Sequence, residues 1–388
     1  MKRILLIILA LAALGIAAMV LIQSAPPAIS ANLVGLQSTT GTAGFARADR
    51  VRAFSFPLDH GPHPDFQTEW WYYTGNLDTA DGRHFGYQLT FFRRALTPTE
   101  TPRASDWATN QVYFAHFAIT DVKNNSHWAT ERFSRGAAGL AGASGDPYRV
   151  WLENWAVTAL NADGSRVQLH ADDSAHAHAI TLTLAAEKPL VLQGDRGLSQ
   201  KSSGMGNASY YYSFTRLATE GTITVNGETV AVKGLSWMDH EFSTTVLGKD
   251  AVGWDWFSIQ LSDQREVMYF QIRQKDGSIE PMSGGTLVEP DGSSHALTRE
   301  QVNVQVLDTW TSPESGGVYP SRWRVSIPSA NIQLTLKPYV ADQEMRVSIV
   351  YWEGAVEITG TSNGAPVTGS GYVEMTGYAP GSGIVGIQ

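Results

Sequence analysis

Four short segments of the sequence crowd indole and phenol rings around a carboxylate: Glu69-Trp70-Trp71-Tyr72-Tyr73, Trp237-Met238-Asp239-His240-Glu241, Trp254-Asp255-Trp256 and Trp352-Glu353-Gly354. A carboxyl group walled by aromatic rings loses its water shell, which disfavours the anion and raises the pKa. Such an acid still holds its proton near neutral pH and can give it away. The rings offer π faces to a cation, an attraction of ~0.5–2 kcal/mol each. These are the parts needed to protonate an alkene, shelter the tertiary carbocation and let water add to it. By residue type and spacing any of these acids could be the proton donor, with a His or Glu positioning the water and the tryptophans as cavity wall. Residues two apart on a strand share a face. Trp71 and Tyr73 therefore accompany Glu69, while Trp237 and Glu241 accompany Asp239, and the wall is expected to extend to Glu69, Asp255 and Glu353. The same residues also suit a plain β core, where an acid only satisfies an indole N–H or a backbone amide.

Other chemistries lack their markers. No Gly-x-Ser-x-Gly elbow, His-Glu-x-x-His helix or Gly-x-x-x-x-Gly-Lys loop occurs in the sequence, which removes the common hydrolase, zinc-peptidase and nucleotide signatures. His170, Asp172, Asp173, His176 and His178 form a polar tract in which His176 and His178 share one strand face. No third ligand is defined there, so no metal site is assigned.

The elements that must position these residues are strands. Runs of alternating polarity flank turn pairs: Glu69–Leu77 and His84–Phe92 around Asp81-Gly82, Trp155–Leu160 and Val167–His170 around Asp163-Gly164, and Thr222–Val225 and Thr229–Val232 around Asn226-Gly227. Asp-Gly and Asn-Gly accept the positive φ of a tight hairpin. The pattern continues through Trp256–Leu261, Val267–Ile272, Arg322–Ile327, Ile332–Leu336, Arg346–Trp352 and Tyr372–Thr376, with no long amphipathic helix between. Many short strands without crossover helices predict an all-β protein of antiparallel barrels or sandwiches.

Lys2 and Arg3 precede an uncharged apolar run from Ile4 to Ile22, and Ala28-Ile29-Ser30-Ala31 follows. This layout predicts export to the periplasm or the extracellular side. Residues 1–30 are either a signal peptide cut after Ser30 or an uncleaved anchor that tethers the protein to the membrane through residues 4–22. Residues 31–50, rich in Gly, Ser, Thr and Ala, read as a flexible linker, with folded structure starting near Phe54. The remainder exceeds the ~250–300 residues at which one core stops growing, so two domains are expected, 51–243 and 244–388. The formal net charge is −9, so there is no basic field for phosphates, and nucleic acid is excluded as a partner. Without cysteine there is no disulfide, thiolate metal site or cysteine nucleophile.

The stretches Glu69–Leu77 (EWWYYTGNL), Ser209–Arg216 (SYYYSFTR), Gly234–Ser243 (GLSWMDHEFS), Gly253–Leu261 (GWDWFSIQL), Tyr351–Val356 (YWEGAV) and Gly371–Tyr378 (GYVEMTGY) resemble the lipocalin-like family of carotenoid 1,2-hydratases (hydroxyneurosporene synthases) and AttH-type proteins. The resemblance implies two consecutive lipocalin-like antiparallel β-barrel domains and no cofactor. In the hydratase branch it implies addition of water to the terminal double bond of an acyclic carotenoid, with the acid falling on Asp239. That makes Asp239 the expected proton donor, His240 or Glu241 the residue that positions the water, and Trp237, Trp254 and Trp256 the cavity wall. Where that branch carries a His-x-Trp pair and a Tyr two residues before the acid, this chain has Tyr210, Tyr212 and Trp237. The departure places the sequence on the AttH-like side, with Tyr210 and Tyr212 as ligand-binding candidates. Three functions stay open: a hydratase acting on an apolar isoprenoid, a carrier that binds an apolar small molecule or lipid unchanged, and an ester or lactone hydrolase.

Overall fold

A computed structural model describes residues 41–100, 104–244 and 247–382. The proposed signal or anchor and the first part of the linker lie outside these residues. Among the described residues no helix is long and apolar enough to cross a membrane.

Two antiparallel sheets make up the fold. The first has 13 strands among the described residues, and its central order runs Ser126–Arg135, Gln111–Asp121, His84–Ala95, Thr68–Asp78, Glu228–Ser243, Ala208–Val225, His178–Ala186. The second has 10 strands, centred on Glu266–Gln274, Ala251–Leu261, Ala365–Met375, Val350–Ser362 and Ile332–Pro338. Each sheet curls into a barrel-like domain of lipocalin-like architecture. The first sheet's last strand ends at Ser243 and the second sheet begins at Ala251. The expected hairpins form where turn residues permit them. Asn226 and Gly227, for example, both take positive φ (51° and 82°), the twist a two-residue hairpin needs.

Side chains fill each barrel. Trp71, Tyr73, Phe85, Leu89, Phe117, Trp155, Leu182 and Tyr212 belong to the first core, and Phe257, Trp323, Leu334, Trp352 and Val373 to the second. A third apolar cluster joins Tyr72, Tyr211 and Trp237 of the first barrel to Trp256, Met268, Phe270 and Tyr372 of the second. It lies on the outer faces of the two central sheets.

Polar contacts lock the barrels together around that cluster. The fully buried Glu266 of the second barrel accepts from Lys188 Nζ at 2.8 Å and from Arg216 Nε, both of the first. Gln260 Nε2 donates to the Thr215 and Ser236 carbonyls at 2.8 and 3.0 Å, and Asn76 Nδ2 donates to the Gly371 carbonyl at 3.0 Å. At Gly86 the backbones come so close that an added Cβ would lie 2.6 Å from the Ala355 Cβ.

The linker expectation for residues 31–50 needs correction over its second half. Phe45 and Ala48 are buried, and the Ala46 N–H donates to the Asp65 carbonyl at 2.9 Å. The small residues around them hid two apolar anchors, so ordered packing starts about nine residues before Phe54.

Candidate functional site

A cavity of about 170 Å³ lies between the two barrels. Its first wall comes from alternate residues of the first barrel's central strands: Thr68, Trp70 and Tyr72, then Thr90 and Phe92, with Tyr211, Asp239 and Glu241 beside them. Its second wall comes from Trp254, Trp256, Phe270, Tyr351, Glu353 and Glu374 of the second barrel. The lining is overwhelmingly aromatic and aliphatic, yet four carboxyl groups face into it.

Register explains how they meet. Tyr72 pairs with Asp239 and Trp70 with Glu241 across one ladder, Ser213 pairs with Asp239 and Tyr211 with Glu241 across the next. In the second barrel Glu353 pairs with Glu374, which also pairs with Trp256. Because side chains alternate along a strand, all these residues reach the same side of their sheets.

Asp239 is held by three donors. Ser213 Oγ and Trp237 Nε1 donate to Oδ1, the latter at 2.8 Å, and the Tyr211 hydroxyl donates to Oδ2 at 2.8 Å. Trp256 Nε1 of the opposite barrel donates to the Tyr211 hydroxyl at 3.1 Å. Burial pushes the Asp239 carboxyl up to about 7 against the pull of those donors, and the nearby Glu241 adds to the rise. Burial likewise pushes Glu374 up to about 7, although Trp254 Nε1 donates to its Oε1 at 2.8 Å. Glu353 is raised well above the usual carboxylate range by burial and by the facing Glu374, with the Tyr72 hydroxyl on Oε2 opposing. Its Oε1 is buried without a hydrogen-bond partner. Lys201 Nζ sits 3.1 Å from Glu241 Oε1. The lysine also lies over the Tyr211 and Phe270 rings, 4.8 and 4.2 Å from their centroids. The cavity thus holds protonated acids in an apolar, aromatic setting near neutral pH, which is the arrangement for proton donation to a weak base such as an alkene.

The family model for AttH-like proteins matches residues 47–378. The chain belongs to the AttH-like family. The crystal structure of an AttH protein from Nitrosomonas europaea superposes with a TM-score of 0.76 at 35% identity, covering 86% of this chain and 100% of that one. Kievitone hydratase from Nectria haematococca shares the fold at a TM-score of 0.64 and 15% identity, over 87% and 96% of the two chains. CghA, crystallised with Sch210972, follows at 0.55 and 16%, over 88% and 98%. The sequence matches no curated protein. In this AttH-like protein the common element with those structures is the two-domain lipocalin-like architecture.

Of the expected site residues, the structure brings Asp239, Glu241, Trp254, Trp256 and Glu353 to the cavity. Trp237 reaches it through its bond to Asp239 and its edge contact with the Trp256 ring, 6.1 Å between centroids. The others lie elsewhere. Glu69, Trp71, Tyr73, Tyr212 and His240 share a face, as the spacing of Glu69, Trp71 and Tyr73 requires, but that face is the interior of the first barrel. There Trp71 stacks on His240 at 4.8 Å between centroids, and His240 Nε2 lies 2.8 Å from Glu69 Oε1. His240 therefore cannot position a water in the cavity. Tyr210 packs with Phe66 and Phe242 near the N-terminal segment. Asp255 points into the second barrel, held by Gln271, Arg273 and Tyr378. His176 sits in a turn and bonds Asp173, so it does not share a strand face with His178; both imidazoles lie against the Trp128 ring, and His178 Nδ1 is turned to the His176 carbonyl at 2.6 Å.

Burial opposes charge on Glu69, but Arg93, His63 and His240 outweigh it and hold the carboxyl well below the usual range. His63, Glu69 and His240 bring ligand-type atoms within 4.8 Å of one another. A cation placed there would meet the Arg93 guanidinium already bonded to Glu69 at 2.7 Å, so the geometry suits a buried ion-pair network better than a metal centre.

Tyr72, Tyr211, Glu374, His116 and Tyr351 join the site although sequence reasoning does not single them out. Tyr72 and Tyr211 are offset by one from residues that were chosen, because every position in EWWYY and SYYYS is aromatic or polar and the motif has no visible parity. Glu374 carried a usable signal: Tyr372 lies two residues before it, the same acid-beside-ring pattern as Asp239.

Proposed function

We propose that this protein is a hydratase that adds water to a carbon–carbon double bond of an apolar isoprenoid held between the two barrels. The observation that carries this reading is the convergence of three proton-holding carboxyl groups, Asp239, Glu353 and Glu374, on an aromatic cavity. Asp239 is the donor. Its proton passes to one alkene carbon, and the carboxylate left behind is met by the Ser213, Tyr211 and Trp237 donors already in place. Stabilisation that exists before the charge forms needs no reorganisation when it does. The tertiary cation on the other carbon lies among the Trp70, Trp254 and Trp256 rings. Water then forms the C–O bond and releases a proton, so alkene plus water gives alcohol.

The acyclic carotenoid remains the favoured substrate type in this reading, and export directed by the apolar N-terminal run belongs to it as well. The test is mass spectrometry of products after incubation with acyclic carotenoids in ¹⁸O-labelled water. A mass gain of one labelled water that disappears in Asp239→Asn supports the hydratase. Co-extraction of an unaltered lipid, with no conversion of any probe, replaces it with a carrier.

A further inference from the structure

The three buried acids supply no group to take the proton that water loses, and the fourth carboxyl of the cavity, Glu241, is already paired with Lys201 at 3.1 Å. One chain of residues on the cavity's edge has that character. His116 lines the cavity beside the stacked Phe92 and Phe114 rings, at centroid distances of 5.1 and 5.6 Å. Its Nδ1 lies 2.7 Å from the hydroxyl of Tyr351, a residue of the other barrel that also lines the cavity. On its far side, Glu131 pairs directly with His116 across the strand ladder, and its Oε2 lies 3.7 Å from His116 Nε2. Glu131 is fixed in turn by the second barrel, since Ser348 donates through its backbone N–H at 2.9 Å and its hydroxyl at 2.6 Å. Carboxylate, imidazole and hydroxyl thus stand in a row from the partly exposed Glu131 to the cavity.

We propose that Tyr351 and His116 are the water-activating base of this cavity, with Glu131 as the positioning residue. The assignment rests on the hydratase reading. The Glu131 carboxylate favours the tautomer with its proton on Nε2, which leaves Nδ1 to accept the Tyr351 hydroxyl. Tyr351 then turns an oxygen lone pair to a water in the cavity. As that water's oxygen bonds to the carbocation, one of its protons passes to the Tyr351 oxygen while the Tyr351 proton passes to His116 Nδ1. The imidazolium so formed is stabilised by the facing Glu131 carboxylate. When the alcohol leaves and water refills the cavity, the Nδ1 proton returns through the Tyr351 hydroxyl to that water, which restores the Nε2 tautomer, and Asp239 regains a proton from solvent. No electrons are exchanged and the sum is alkene plus water.

Burial holds His116 down to about 3, so its imidazole is neutral and able to accept at any working pH. A weak base suffices, because the oxonium formed when water meets a carbocation is a strong acid.

The choice between water capture and simple proton loss from the cation exposes the base. In D₂O, a cation that fails to capture water returns an alkene carrying deuterium. The experiment compares wild type, Tyr351→Phe and Glu131→Gln on acyclic carotenoids, reading the ratio of alcohol to deuterated alkene. Tyr351→Phe should lower that ratio by about 100-fold, the scale of a lost general base, while deuterium uptake continues. Glu131→Gln should lower it less, and Glu131→Asp should restore it. ¹⁵N NMR of the histidines should show His116 protonated on Nε2 alone. An unchanged ratio in folded Tyr351→Phe, or a proton on Nδ1 of His116, overturns the assignment and leaves the hydratase standing. Absence of both alcohol and deuterated alkene in the wild type overturns the hydratase and the base with it.

Discussion

Glu353 and Glu374 stand directly opposite each other on adjacent antiparallel strands of the second barrel, both turned to the inter-barrel cavity. Like charges at opposed positions destabilise a strand pair, and the donors that reach these two carboxyls are neutral, the Tyr72 hydroxyl and the Trp254 indole. Keeping a proton removes the conflict, and it makes the site sensitive to pH.

Asp239 and Glu374 titrate near 7 in the fold, above their ordinary carboxylate values. Between about pH 4 and 7 these two groups therefore bind more protons in the fold than in the unfolded chain, and their contribution to stability falls as pH rises. Every tenfold gain in proton affinity on folding is worth about 1.4 kcal/mol. Buried histidines such as His60 and His116, held down by desolvation, push the wild-type midpoint the other way, so the test is a difference: from about pH 5 to 8, Glu374→Gln should gain in thermal unfolding midpoint relative to wild type. A difference between variant and wild type that stays constant or shrinks over this range would contradict the assignment.

Asp239→Asn removes the proton donor but keeps an oxygen at Oδ1 for the Ser213 and Trp237 donors, with the amide group turned to the Tyr211 oxygen. Turnover should fall by about 10²–10⁴-fold, with the near-ultraviolet circular dichroism of the surrounding tryptophans preserved. In wild type, the rate should decline above pH 7 as the acid ionises.

Arg93→Met strips the guanidinium from Glu69, leaving a fully buried carboxylate without its main counter-charge. The expected cost is ~3–5 kcal/mol, read by urea unfolding. Glu69 lies inside the first barrel, so the product spectrum of whatever variant folds should match the wild type. A changed product ratio would tie the two faces of the sheet together.

Gly86→Ala drives a methyl group against Ala355 and should cost ~1–3 kcal/mol, since two backbones and not a flexible side chain must shift. Adding Ala355→Gly should recover most of the loss. Additive effects in the double-mutant cycle would mean that the barrels do not touch there.

The β class was legible because hairpin residues such as Asn226-Gly227 and alternating polarity are local signals that a strand carries wherever it ends up. Asp239 was legible for the same reason: an acid between Trp237 and Glu241 on one strand face needs no tertiary contact to be recognised. What the chain alone left open was which side of each sheet would meet the other barrel. Trp70 and Trp71 are equally apolar, and alternation says only that they part company. Docking of the second barrel, through Glu266 with Lys188 and Arg216 and through the close approach at Gly86, turned Trp70, Tyr72 and Tyr211 to the cavity and consigned Trp71, Tyr212 and His240 to the first barrel's interior. Glu374 and Tyr351 reach Asp239 and His116 only across that interface, from more than a hundred residues away in the chain, a distance over which no spacing rule operates.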